Sequence, residues 1–320
     1  MKRSFLLIAI IICGVNLKAQ QGVIADTSFT IHSAFVKAKK THPYISIVGD
    51  TLPPAVKAAR NIVYCRRGDH DLSLDVFYPK RRHKPRPAVL LIHGGGWRSG
   101  NRWQQEPMAI DLAANGYVAV TVTYRLSTEA PYPAALHDVK AAIRWIRAYG
   151  KTYGIDTGKI AVLGCSAGGQ LAALAGTTNG IPNFEDSSCY ASSNSRVQAI
   201  IDVDGVLAFI HPESGEGDER KGPSAATLWL GGTKEQVPDR WQETSALNHA
   251  DASTPPILFI NSGVARMHAG RDDLMRRLQG FNTYTEVHTF EDAPHPFWLF
   301  HPWFRPMMGY IISFLHKVFR

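Results

Sequence analysis

The sequence predicts an α/β fold: a mostly parallel, eight-stranded sheet with helices on both faces. Three observations predict it. Short apolar runs alternate with longer segments whose apolar residues recur at helical spacing. The links between them are brief, as strand–helix–strand crossovers require. Two of the runs end in turns of small residues, His93-Gly94-Gly95-Gly96-Trp97 and Gly164-Cys165-Ser166-Ala167-Gly168-Gly169.

The chain begins with Lys2 and Arg3, an apolar run from Phe5 to Ile12, and a polar stretch ending Lys18-Ala19-Gln20. That order of charge, short apolar core and small residue predicts a signal peptide over 1–19, and hence a secreted or periplasmic protein. The run is too short to span a bilayer, so stable membrane insertion is not expected. Residues 20–58 form an N-terminal extension with helix-compatible stretches, Ser33 to Lys40 and Pro54 to Arg60, expected to pack across the main domain. The catalytic domain is placed at 59–320.

Within that domain Asn61–Arg66 and Leu72–Tyr78 suit two opening strands, and Ala88–Ile92 a third. Gln104–Asn115 suits a helix closed by Gly116, and Tyr117–Thr123 a buried strand. Ala134–Tyr149 has a helical apolar face and is expected to end at Gly150. Ile160–Leu163 leads into the second glycine turn, followed by a helix over Ala167–Ala175. Val197–Val203, Pro256–Ile260 and Tyr284–Phe290 supply the remaining strands. Arg271–Leu278 and Phe304–Val318 are the final helices.

With 320 residues, 45% apolar and 19% charged, the chain can bury one full core. The formal charge of +8 includes three cations of the leader, Lys2, Arg3 and Lys18, which leaves about +5 and favours anionic partners. Nothing resembles a basic helix or an aromatic–basic ladder, so nucleic acid is not an expected partner. Removing the leader leaves Cys65, Cys165 and Cys189. Three cysteines cannot all pair, and no disulfide framework is expected. Cys165 reads as buried packing. No Cys/His spacing suits zinc, and neither metal nor cofactor is expected.

The chemistry resides in the two turns. A serine on a tight strand-to-helix turn has its hydroxyl exposed above a helix N-terminus, and small residues at 164 and 168 are needed where strand and helix cross. The glycines after Ile92 bring backbone N–H groups to the same place. Acyl transfer needs such donors, because its tetrahedral intermediate carries negative charge on the former carbonyl oxygen. Ser166 is therefore the candidate nucleophile, with Gly94, Gly95 and Ala167 as candidate oxyanion donors.

The motif set resembles the α/β-hydrolase family, in its hormone-sensitive-lipase-like and carbohydrate-esterase branch. The resembling residues are His93–Trp97, Tyr124-Arg125-Leu126, Pro131–Asp138, Arg144-Trp145-Ile146 and the turn at 164–169. The resemblance covers about residues 60–320 and implies a Ser–His–acid hydrolase. It places the base after the last strand, where Glu291-Asp292-Ala293-Pro294-His295 stands, so His295 is the candidate base. The family's usual aspartate, a few residues past the seventh strand, is replaced here by Arg266 in Ser262-Gly263-Val264-Ala265-Arg266. A cation cannot accept an imidazole N–H bond, so the acid must come from elsewhere. Asp204 after the sixth strand is the leading candidate. Asp272 or Asp273, and the pair Glu291 and Asp292, remain open.

Arg266 could pair with a substrate carboxylate. Trp97 and Trp298 could stack on sugar faces, and Trp103 and Trp303 lie on or beside the same loops. The long segment Gly205–Thr254 carries no repeating apolar face at its start, and its stretch His211–Gly222 is polar, unlike a lid that opens on oil. Strings near Arg266 and His295 are similar to those of bacterial polysaccharide esterases, including pectin methyl esterases. The expected function is thus an ester hydrolase on esterified polysaccharide or oligosaccharide. Acetyl or feruloyl removal from xylan-like chains is the near alternative, and a non-catalytic binding protein on the same fold is the alternative of another class. Oligomeric state is not legible.

Overall fold

The computed structural model describes residues 26–81, 84–220 and 222–320. The expected signal peptide at 1–19 lies outside the described residues. Eight strands form one sheet: β1 (Val56–Arg67), β2 (His70–Pro79), β3 (Arg86–Ile92), β4 (Val118–Val122), β5 (Ile155–Cys165), β6 (Ala199–Val203), β7 (Ile257–Ser262) and β8 (Thr285–Phe290). Their spatial order is β1-β2-β4-β3-β5-β6-β7-β8. The first two pairings, β1 with β2 and β2 with β4, are antiparallel, and every later one is parallel. This is the α/β-hydrolase fold.

Strand β3 shows why the sheet is covered on both sides. Leu90 and Ile92 enter one apolar cluster, while Val89 and Leu91 enter the other. All four are fully buried, and each such side chain contributes roughly 1.5–3 kcal/mol relative to exposure. Helices α3 (Ala134–Tyr153) and α4 (Ala167–Thr177) cover the first face. Helices α2 (Glu106–Ala114) and α8 (Phe304–Val318) cover the second.

Three expectations need correction. The stretch Pro54 to Arg60 is not helical; β1 begins at Val56, so the boundary at 58/59 cuts a strand and the catalytic body starts earlier. Pairing with β2 along its length overrides the local helix preference. Helix α3 does not stop at Gly150. It runs to Tyr153 and is capped by Gly154 in the left-handed region, at φ 71°. Gly150 is small because a Cβ there would lie 2.8 Å from Thr157 Cγ2.

The extension does pack across the domain. Helix α1 (Ile31–Ala38) joins the second cluster, and Ser46–Ile47 pairs antiparallel with Phe300–His301. His42 Nε2 is 2.9 Å from the carbonyl of Asp292. The segment between β6 and β7 opens with the buried run Val206–Phe209, turns polar over His211–Gly222, and is apolar again beyond it. It carries α5 (Ala225–Leu230) and α6 (Pro238–Glu243), whose Trp229 and Trp241 are fully buried.

Candidate active site

Ser166 stands between β5 and α4 at φ 57°, ψ −122°, a conformation a side chain rarely adopts. The surroundings hold it there. Its N–H donates to Val203 O at 2.8 Å, and its carbonyl accepts from Gln170 N at 3.0 Å. A Cβ on Gly164 would sit 1.9 Å from Gly168 O, and one on Gly168 would sit 2.1 Å from Ile92 O. The crossing leaves no room for either, as the sequence implied.

His295 arrives on the loop after β8, and its Nε2 lies 2.8 Å from Ser166 Oγ. Its Nδ1 lies 2.9 Å from Asp204 Oδ2. Asp204 follows β6 and is completely buried. Its other oxygen accepts from Ser262 N at 2.7 Å, so the end of β7 aims the carboxylate that it does not itself supply. Of the other acid candidates, Glu291 is exposed and the remaining three are engaged elsewhere. Asp272 accepts from Arg271 Nε at 2.8 Å, Asp273 pairs with His211 and Arg276, and Asp292 accepts from Trp303 Nε1.

This relay can take the serine proton onto Nε2 while Asp204 holds the Nδ1 proton and steadies the imidazolium. Among the expected oxyanion donors, Ala167 borders the pocket in front of Ser166. Gly96 lines the pocket, whereas Gly94 is wedged under the elbow, where a Cβ would lie 2.8 Å from Cys165 O. The N–H groups of Gly94, Gly95 and Gly96 alike meet no backbone acceptor among the described residues, which leaves the turn able to serve a developing oxyanion.

His93 fixes this turn. Its Nδ1 is 2.8 Å from Gly94 O, its ring stacks on Tyr124 at 4.3 Å, and Tyr124 Oη donates to His93 O. Burial pulls the His93 pKa down to about 4, so the ring is neutral at working pH and Nδ1 is the donor. Arg125 grips Asp138 through Nε and Nη2, both at 2.8 Å, which gives those motif residues a structural role.

The pocket holds about 310 Å³ and is walled by Gly96, Trp97, Glu216, Ser224, Arg266 and Met267 around Ser166 and His295. Trp97 is only 4% exposed, stacked on Trp229 at 4.7 Å and bonded to Gln170, so it is wall rather than a free platform. Arg266 lines the pocket as expected. Trp298 does not. It lies in the second core cluster with its ring edge-on to His295 at 5.2 Å, and supports the base instead of the substrate. Trp303 is also buried, and Trp103 is half exposed beside Arg102. Glu216 was not singled out by sequence; its only signal was an acidic residue inside the polar insertion.

The cysteine expectation is overturned in part. Cys65 and Cys189 form a disulfide with Cα atoms 6.0 Å apart, while Cys165 is free and buried. An odd count forbids complete pairing, not one pair. Among the described residues no cluster of three or more His, Cys, Asp or Glu side chains could hold a metal, and no helix is long and apolar enough to cross a membrane.

Sheet order, elbow and relay together define an α/β-hydrolase with a serine–histidine–aspartate site. The chain belongs to the BD-FAE family, which it matches over residues 74–267. It is 31% identical over 224 residues to esterase LipC of Mycobacterium tuberculosis, covering 65% of this chain and 53% of that one. The chain spans about half the length of the curated relatives it matches. Among solved structures it is similar to a bifunctional GH43-CE protein of Bacteroides eggerthii, with TM-score 0.69, 25% identity, and coverage of 81% of this chain and 38% of that one. A truncated carbohydrate esterase from gut microbiota shares the fold at TM-score 0.67 and 23% identity, over 85% of this chain and all of its own.

Proposed function

We propose that the chain is a secreted or periplasmic serine carboxylic-ester hydrolase acting on esterified carbohydrate. The observation that carries this reading is the unbroken chain of contacts from Ser166 Oγ through His295 to Asp204, opening on a polar pocket. The likeness to an esterase supports the activity, and the likeness to a bifunctional GH43-CE protein supports the substrate class. The Cys65–Cys189 disulfide supports an oxidising compartment, in keeping with the leader-like N-terminus. Methyl-esterified polyuronate is the first substrate reading, because Arg266 brings a guanidinium to the pocket wall. Acetyl or feruloyl esters of xylan-like chains form the second, favoured by the ion pair that already engages that guanidinium.

Turnover of p-nitrophenyl acetate by the full chain and by Ser166→Ala tests the activity. A drop of about 10⁴-fold or more is expected; equal, negligible turnover in both retires the enzyme in favour of a binding protein. Methanol, acetate and ferulate released from pectin and xylan then separate the substrates. Acetate without methanol refutes the polyuronate preference.

A further inference from the structure

The pocket contains a charged residue that the relay does not use. Glu216, on the insertion between β6 and β7, lines the pocket together with Ser166 and His295, and its side chain is 13% exposed. Its Oε1 accepts from Arg266 Nη1 at 3.2 Å. The two come from different parts of the chain, fifty residues apart, and meet on one wall. The backbone at Gly215 lies against the arginine stem, where a Cβ would be 3.2 Å from Arg266 Cδ, and Ser214 Oγ accepts from Glu216 N at 3.2 Å. The carboxylate is thus held over the cation by its own turn.

A lone arginine at the mouth of an ester-cleaving site would attract carboxylates, including the acid that each hydrolysis releases. Paired with Glu216, it presents no net charge, yet keeps unused N–H donors and carboxylate lone pairs on the pocket wall. Such a surface suits vicinal hydroxyls. Burial raises the Glu216 pKa while Arg266 lowers it, with Lys234 and His295 acting in the same sense as the arginine.

Resting on the esterase reading, we propose that Glu216 sets the charge specificity of the Ser166 pocket. By neutralising Arg266 it makes the pocket select an uncharged, hydroxyl-bearing group, an esterified sugar residue, over the corresponding free carboxylate. For a polyuronate this means binding the methyl ester and releasing the acid.

Binding of methyl galacturonate (the methyl ester) and of galacturonate is measured on the full chain carrying Ser166→Ala, so that no ligand is consumed. The ester is expected to bind tighter. Adding Glu216→Gln should shift the ratio toward the acid by about tenfold or more, because an unpaired guanidinium is then exposed to it. Adding Arg266→Gln as well should abolish that gain. Thermal melting of each variant establishes that it is folded. A folded Glu216→Gln variant whose ratio stays within twofold, or a gain that survives Arg266→Gln, overturns the proposal. The esterase reading fails separately: a wild-type chain inert towards p-nitrophenyl acetate would sink it whatever the binding ratio, while an active chain with an unmoved ratio sinks only the role of Glu216.

Discussion

The two halves of the catalytic relay are built in opposite ways. The nucleophile half is local: Gly164, Ser166 and Gly168 lie within five residues, and both glycines are required by contacts among β3, β5 and α4. The proton-relay half is assembled from afar. His295 and Asp204 are separated by 91 positions, and the carboxylate is aimed by Ser262 N while the histidine loop is braced by Trp298 and by His42 of the extension. Tight sterics write a motif into adjacent residues; a relay needs only that three surfaces converge, which many sequences can satisfy.

The largest effect that would break this comparison is loss of the acid. Asp204→Asn should lower kcat/KM for p-nitrophenyl acetate by about 10³–10⁴-fold, since the amide cannot hold the productive tautomer or steady the imidazolium. Asp272→Asn, whose carboxylate sits on Arg271, should stay within a few-fold of wild type. Reversal of the two results would move the relay to β7.

A smaller effect should appear in stability alone. Replacing both Cys65 and Cys189 by serine opens a link across 124 residues and should cost about 2–5 kcal/mol, seen as a lower Tm, with kcat of the folded fraction retained. A parallel loss of kcat would mean that the disulfide positions the site. The smallest effect concerns the brace. His42→Ala removes one hydrogen bond to the loop carrying His295 and should lower kcat a few-fold, at about 1 kcal/mol of stability. No change in kcat would show that Trp298 alone suffices.

Legibility in the sequence follows the same division. The sheet and the elbow were readable because short apolar runs and glycine turns report local constraints, and His295 because the family resemblance places the base after the last strand. Asp204 was only the leading choice among several carboxylates, because a residue after β6 carries no local mark of where β7 and β8 will bring their loops. Trp298 was misjudged since an aromatic beside a catalytic histidine can face either way, and only packing of the second core turns it inward. Glu216 was missed because its meaning comes from Arg266, which the fold brings to the same pocket wall.

The bond from His42 to the carbonyl of Asp292 joins residues 250 positions apart. During synthesis the serine turn can be completed once β6 has emerged to accept its N–H at Val203, whereas the imidazole arrives later and settles against residues made much earlier. A nascent chain would therefore carry a poised hydroxyl with nothing to deprotonate it.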